Sequence, residues 1–111
     1  MSVNYSIAEE FENMEILANA AQPKREQLLN DAVNLTCGDR NRTYGEPVGN
    51  MQHIANIFNA WTGRDLSARE VAQLHICTKM ARRHTSPDHR DSYVDDMAYT
   101  GIEYECATSN E

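Results

Sequence analysis

Apolar residues recur at intervals of three and four in several separate stretches, and no stretch alternates with a period of two. Over residues 6–20, Ile7, Phe11, Met14, Ile16, Leu17 and Ala18 form a stripe, with Glu9, Glu10, Glu12 and Glu15 elsewhere. Ser6 followed by Glu9 has the spacing of a capping box, in which two side chains satisfy orphan backbone donors. Pro23 predicts the start of a second helix carrying Leu28, Leu29, Ala32, Val33 and Leu35, with Gly38 as its stop. Glu46-Pro47 opens a third, whose apolar face is Val48, Met51, Ile54, Ala55, Phe58 and Trp61 and which Gly63 closes. Ser67 and Glu70 form another capping box ahead of a fourth helix. Its wide apolar face (Val71, Ala72, Leu74, Ile76, Thr78, Met80) predicts the most buried helix of the chain. Thr85-Ser86-Pro87-Asp88 breaks it. A fifth helix is predicted from about Asp88 to Cys106, with a stripe of Val94, Met97, Ala98, Gly101 and Ile102.

This pattern predicts an all-α fold, a compact bundle of four to five helices with short connections. Residues 1–22 are expected to form an N-terminal acidic helix used in packing or oligomerisation. Residues 23–107 are the expected helical core domain, and 108–111 a disordered tail. The chain has 111 residues, enough for one domain but with a limited core, so a homo-oligomer is expected.

Charge changes the picture. The net charge is −7, and it is unevenly spread. The acids exceed the bases in residues 1–35 and after Gly101, while residues 36–100 are balanced and hold most of the arginines. An acidic chain lacks the positive footprint of a DNA- or RNA-binding protein, so no nucleic-acid partner is expected. A small anion in a local basic pocket remains compatible. Cys37, Cys77 and Cys106 show no metal-ligand spacing and are expected to be reduced thiols. There is no signal-peptide pattern and no apolar run of membrane-spanning length, which predicts a soluble, intracellular protein with no membrane partner.

Two polar clusters carry the candidate chemistry. The first is Gly38 to Asn50, GDRNRTYGEPVGN. Arg40 and Arg42 present planar donor forks suited to phosphate or carboxylate, ahead of a helix start that adds backbone donors. Tyr44 can stack on a base and Asn50 can read one. The competing reading has the arginines paired internally with Asp39, Glu46 or the aspartates of the last helix. The second cluster runs from Lys79 through Arg82, Arg83 and His84 to Asp91, Asp95 and Asp96. Read plainly, it is an interhelical salt-bridge network. Read as a site, Lys79 and Arg82 hold phosphates while Asp91 or Asp95 takes a ribose hydroxyl. Asp91, Asp95 and Tyr99 are spaced at four, along one line of a helix. A magnesium site would need carboxylates from two helices, and the second helix offers only Asp31.

The strings Gly38-Asp39-Arg40, Tyr44-Gly45, Pro47, Asn50, then Lys79 and Arg82, then Asp91-Ser92, Asp95 and Tyr99 resemble the pattern of a family of small uncharacterised proteins of tailed bacteriophages and prophages. The resemblance covers Leu28 to Tyr104. The K-x-x-R and DS-x-x-D elements also look like those of all-α, MazG-type nucleotide pyrophosphohydrolases and phage nucleotide-modification-associated domains. That second resemblance implies an oligomeric bundle with a nucleotide ligand. It also implies an E-E-x-x-E motif holding magnesium on an earlier helix, where this chain has Asn30-Asp31-Ala32-Val33-Asn34 and, in the first helix, Asn13 in place of a third glutamate.

The expectation is therefore a phage-encoded, homo-oligomeric binding protein for a nucleotide-derived, phosphate-bearing small molecule. Its site would be Arg40, Arg42, Tyr44, Asn50, Lys79, Arg82, Asp91 and Asp95, with no cofactor. The version singled out is sequestration, without turnover, of a host immune signal such as a cyclic ADP-ribose isomer or a cyclic dinucleotide. The alternatives are a divergent magnesium-dependent pyrophosphohydrolase using Asp31, Asp91 and Asp95, and a module that contacts a host protein through its acidic first helix.

Overall fold

A computed structural model of the chain describes residues 9, 10, 14, 21–38 and 45–109. Four helices follow one another: α1 Lys24–Cys37, α2 Pro47–Thr62, α3 Ala68–Thr85 and α4 Arg90–Thr108. The described residues contain no strand, and the fold is an all-α bundle. Glu9, Glu10 and Met14 are helical, but most of the helix expected over residues 6–20, including its Ser6 capping position, lies outside the described residues.

The ends of the helices are set by local chemistry. Pro23 is the N-cap of α1, one position earlier than the first-turn role that its sequence context predicts. Gly38 ends α1 in an extended conformation, with φ −99°. Its glycine is needed for space and not for a left-handed turn, because a Cβ there would stand 2.5 Å from the Asn34 carbonyl oxygen. Gly63 ends α2 in the left-handed region, with φ 71°, and donates its N–H to the Asn59 carbonyl. Asn59 also clasps the α2–α3 connection, donating to the Leu66 carbonyl at 2.9 Å and accepting from the Leu66 N–H at 2.8 Å. The predicted capping box at α3 is formed. Ser67 Oγ accepts from the Glu70 N–H at 3.1 Å, and Glu70 Oε1 accepts from the Ser67 N–H at 3.1 Å.

α4 is the central helix. It packs along α3, and α1 and α2 also pack against it. Its buried positions are Ser92, Val94, Ala98 and Ile102, whereas α3 buries Val71 and Ala72 and leaves Leu74 and Met80 about half exposed. The expectation that α3 is the most buried helix is thus corrected. A one-sided apolar stripe marks a helix covered on one side, whereas α4 is covered by three neighbours and shows no dominant face. Trp61, predicted on the apolar face of α2, is 82% exposed, and Ile57 beside it is 58% exposed. The core gathers Met51 and Ala55 of α2, Val71 and Ala72 of α3 and Ile102 of α4. Several of the buried residues are alanines (Ala32, Ala55, Ala72, Ala98), so helix–helix approach owes more to small side chains than to interlocking large ones.

A cleft between the first, second and fourth helices

α3 and α4 run antiparallel, and their facing side chains pair in rungs. Lys79 Nζ lies 3.1 Å from Asp95 Oδ2, and Arg83 lies 2.6 Å from Asp96 Oδ2. The Arg83 guanidinium also sits 4.9 Å from the centroid of the Tyr93 ring, whose hydroxyl donates to the Pro87 carbonyl. His75 stacks on Tyr99 with ring centroids 4.5 Å apart and planes 5° from parallel. Burial, together with the nearby Lys79 charge, holds the His75 imidazole below its ordinary pKa and favours the neutral ring. Gln73 and Arg69 both reach Glu103. The α3–α4 face is therefore the interhelical network that the plain reading of this cluster predicts.

The K-x-x-R and DS-x-x-D elements acquire separate meanings. Lys79 and Asp95 are partners across the two helices. Ser92 is fully buried, and its hydroxyl lies 2.7 Å from His89 Nδ1, which ties down the start of α4. Arg82 is exposed and meets no partner among the described residues. Asp91 is exposed on a different groove, beside Asp31 and Arg90, which form an ion pair between α1 and α4. Arg40, Arg42 and Tyr44 lie outside the described residues.

Next to this network lies a cleft of about 110 Å³, lined by Leu35 and Thr36 at the end of α1, Gly45, Pro47, Asn50 and Met51 at the start of α2, and Asp95, Ala98, Tyr99 and Ile102 of α4. Its floor is apolar and its polar groups are few, the composition of a small-molecule site. Two of the expected site residues, Asn50 and Asp95, come together here from distant parts of the sequence. Lys79 reaches the site through Asp95. Arg82 and Asp91 are not among its walls.

The Asn50 side chain has no hydrogen-bond partner among the described residues. Asp95 commits Oδ2 to Lys79, while Oδ1 meets no donor among them. The first turn of α2 adds backbone N–H groups that no preceding turn can satisfy. Thr36 and Gly45 both stand in the cleft wall.

Sequence reasoning did not place Thr36, Met51 or Tyr99 in the site, nor His75 behind it. The four-residue spacing of Asp95 and Tyr99 was the signal available for Tyr99, since both then project from one side of α4. Thr36 and His75 had no such signal, because their neighbours come from other helices.

Asp31, Asp91 and Asp95 line one open groove, but Asp31 is paired with Arg90 and Asp95 with Lys79. Among the described residues no three carboxylate, histidine or cysteine side chains are grouped to hold a metal ion. Those residues do not fit the metal. No helix among them is long and apolar enough to cross a membrane.

Comparison with known proteins places this geometry in a family. The domain of unknown function DUF6378 matches residues 27–107, which takes in α1 from its first turn and all of α2 and α3, with α4 almost to its end. The gene 55 protein of Mycobacterium phage D29 is 38% identical over 76 residues, covering 68% of this chain and 50% of that protein. The gene 55 protein of Mycobacterium phage L5 is 30% identical over 76 residues, covering 68% and 49% respectively. The chain thus spans about half the length of the curated relatives it matches. No solved structure matches it.

Proposed function

The chain belongs to the DUF6378 family, a family of uncharacterised phage proteins, and we propose that it is a binding module for a nucleotide-derived, phosphate-bearing small molecule. The observation that carries this reading is the cleft between α1, α2 and α4, where the Asn50 amide and Asp95 Oδ1 stand without partners among the described residues over an apolar floor. Both groups are open to solvent, so a ligand entering the cleft can take up hydrogen bonds that the protein leaves unused.

The volume limits what enters. At about 110 Å³, the cleft is smaller than the roughly 300–1,000 Å³ of sites that enclose a whole drug-sized ligand. It suits one flat ring, with the rest of the ligand outside. The phosphates would then lie toward the start of α2, and Arg40, Arg42 and Tyr44 are proposed to contact the ligand through charge and stacking. Lys79 acts indirectly, by fixing the Asp95 carboxylate.

Holding the ligand without turnover is the form of the proposal that this donor set favours, because Asp31 and Asp95 are paired with Arg90 and Lys79. Its most specific version remains sequestration of a nucleotide signal made by an infected host. The uncovered Ile57 and Trp61 of α2 support self-association as part of the same reading.

The test is isothermal calorimetry, with thermal shift alongside, against mononucleotides, cyclic dinucleotides and ADP-ribose derivatives, with and without magnesium. At least one class is expected to bind, and Asn50→Ala should weaken it without lowering the melting temperature. The proposal is overturned if none binds, or if binding survives Asn50→Ala and Arg40→Ala unchanged. Release of pyrophosphate in the magnesium arm would move the assignment to the pyrophosphohydrolase alternative.

A further inference from the structure

The cleft also discriminates among bases, and this inference rests on the nucleotide-binding reading above. Asp95 forms an ion pair with Lys79, 3.1 Å away, and a carboxylate so paired can only accept hydrogen bonds. Its Oδ1 is without a donor among the described residues, and Oδ2 has lone-pair capacity beyond the single contact with Lys79. The ring that enters must therefore bring N–H groups to Asp95. Asn50, across the same cleft, can donate from its amide nitrogen or accept at its oxygen.

The common bases answer this demand differently. Adenine and cytosine each place one amino donor beside a ring-nitrogen acceptor, so a facing carboxylate meets one hydrogen bond and one lone-pair repulsion. Uracil and thymine offer one N–H flanked by two carbonyls, which is less favourable still. Guanine alone presents two adjacent donors, N1–H and the N2 amino group, on the edge that also carries the O6 acceptor. We propose that the cleft selects guanine. The Asp95 carboxylate accepts from N1–H and the N2 amino group, and the Asn50 amide donates to O6. Tyr99, whose ring is backed by His75, forms the side wall.

Lys79 has a defined part in this selection. Its Nζ sits on the Asp95 carboxylate from the α3 side and orients it, while the cleft opens between α1, α2 and α4. It is a positioning residue for the base and does not itself touch the ligand. Half-burial of both partners raises the cost of a mismatched ring, since a lone pair facing the carboxylate cannot turn to water. Among the signals considered above, the inference favours guanine-bearing cyclic dinucleotides over cyclic ADP-ribose isomers, whose base is adenine.

The experiment is calorimetry on the full chain with matched ligands that differ only in the base: GMP, IMP, XMP and AMP, and the cyclic dinucleotides of guanine and adenine. The guanine forms should bind tightest. IMP, which lacks the N2 amino group, should bind roughly ten- to a hundredfold more weakly, the discrimination ordinarily carried by one bidentate base contact. Asp95→Asn replaces an acceptor by a donor–acceptor pair and should move the preference from GMP toward XMP. Because this variant also strips Lys79 of its partner, its fold is checked by circular dichroism, and the ligand series on the unaltered chain decides the matter without it. Adenine forms binding as tightly as guanine forms, or IMP binding as tightly as GMP, would overturn the guanine assignment and leave the nucleotide-binding reading standing. Failure of every nucleotide to bind overturns both.

Discussion

The two sides of α4 use similar side chains for opposite ends. Toward α3, polar groups are answered by partners: Lys79 by Asp95, Arg83 by Asp96 and the Tyr93 ring, and Arg69 and Gln73 by Glu103. Toward α1 and α2, the polar groups of the cleft are left open. The same aspartate serves both sides, with one oxygen on the lysine and the other free of described donors. Such a contrast separates groups kept for the fold from groups kept for a ligand, and it gives each an experimental signature. Changes on the braced side should lower stability. Those on the open side should spare stability and affect binding.

The largest expected effect comes from Met51, which is 3% exposed and belongs to both sides as core and cleft floor. Met51→Ala should cost about 2–5 kcal/mol, read as a fall in the urea midpoint at unchanged m-value. Next is the brace itself. Asp95→Ala leaves the largely buried Lys79 ammonium uncompensated and should cost about 2 kcal/mol, a figure reduced for the solvent that still reaches the pair. Lys79→Met paired with Asp95→Leu should recover most of that loss. A double-mutant cycle showing no coupling would remove Lys79–Asp95 from the brace.

Asn50→Ala sharpens the contrast from the other side. It should change stability by less than about 0.5 kcal/mol while weakening nucleotide binding, so an equal loss in both would erase the distinction. Arg69→Ala tests the exposed end of the hairpin. With the Arg69 side chain 55% exposed, it should cost no more than about 0.5 kcal/mol, and less at high salt.

The subtlest expected effect is on pH. The His75 pKa is lowered in the folded chain, so below its ordinary value near 6.5 the unfolded chain binds the extra proton more readily. Stability contributed by neutral His75 is therefore complete above that value and declines as the pH falls through it. His75→Gln should flatten that part of the stability–pH curve.

The fold was largely legible because its punctuation is local. Pro23, Pro47, Gly63, the Ser67–Glu70 box and the Ser86-Pro87 break each act within a few residues, and the four described helices begin and end within about two residues of the predicted places. Burial was less legible. α4 has three neighbours, so its apolar residues spread around the helix, whereas the stripe on α3 is only partly covered. In the site, Asn50 and Asp95 were recognised as polar residues of unusual clusters, and the structure brings them together. Arg82 and Asp91 share those clusters in sequence but not this cleft. A helical turn separates side chains by direction, so neighbours in a motif need not share a surface.

The rungs between α3 and α4 have a kinetic consequence. Starting from the short turn at Ser86–His89, Arg83–Asp96, Lys79–Asp95, His75–Tyr99 and Arg69–Glu103 close progressively longer loops, and each forms next to one already made. A hairpin of such nested contacts can zip from its turn outward, and its low contact order favours rapid formation. α1 docks onto it through contacts more distant in sequence, such as Asp31–Arg90, so the cleft wall that α1 supplies is assembled after the hairpin. The ligand site would then be the part of the molecule that opens most readily, and an occupant would hold it closed by mass action.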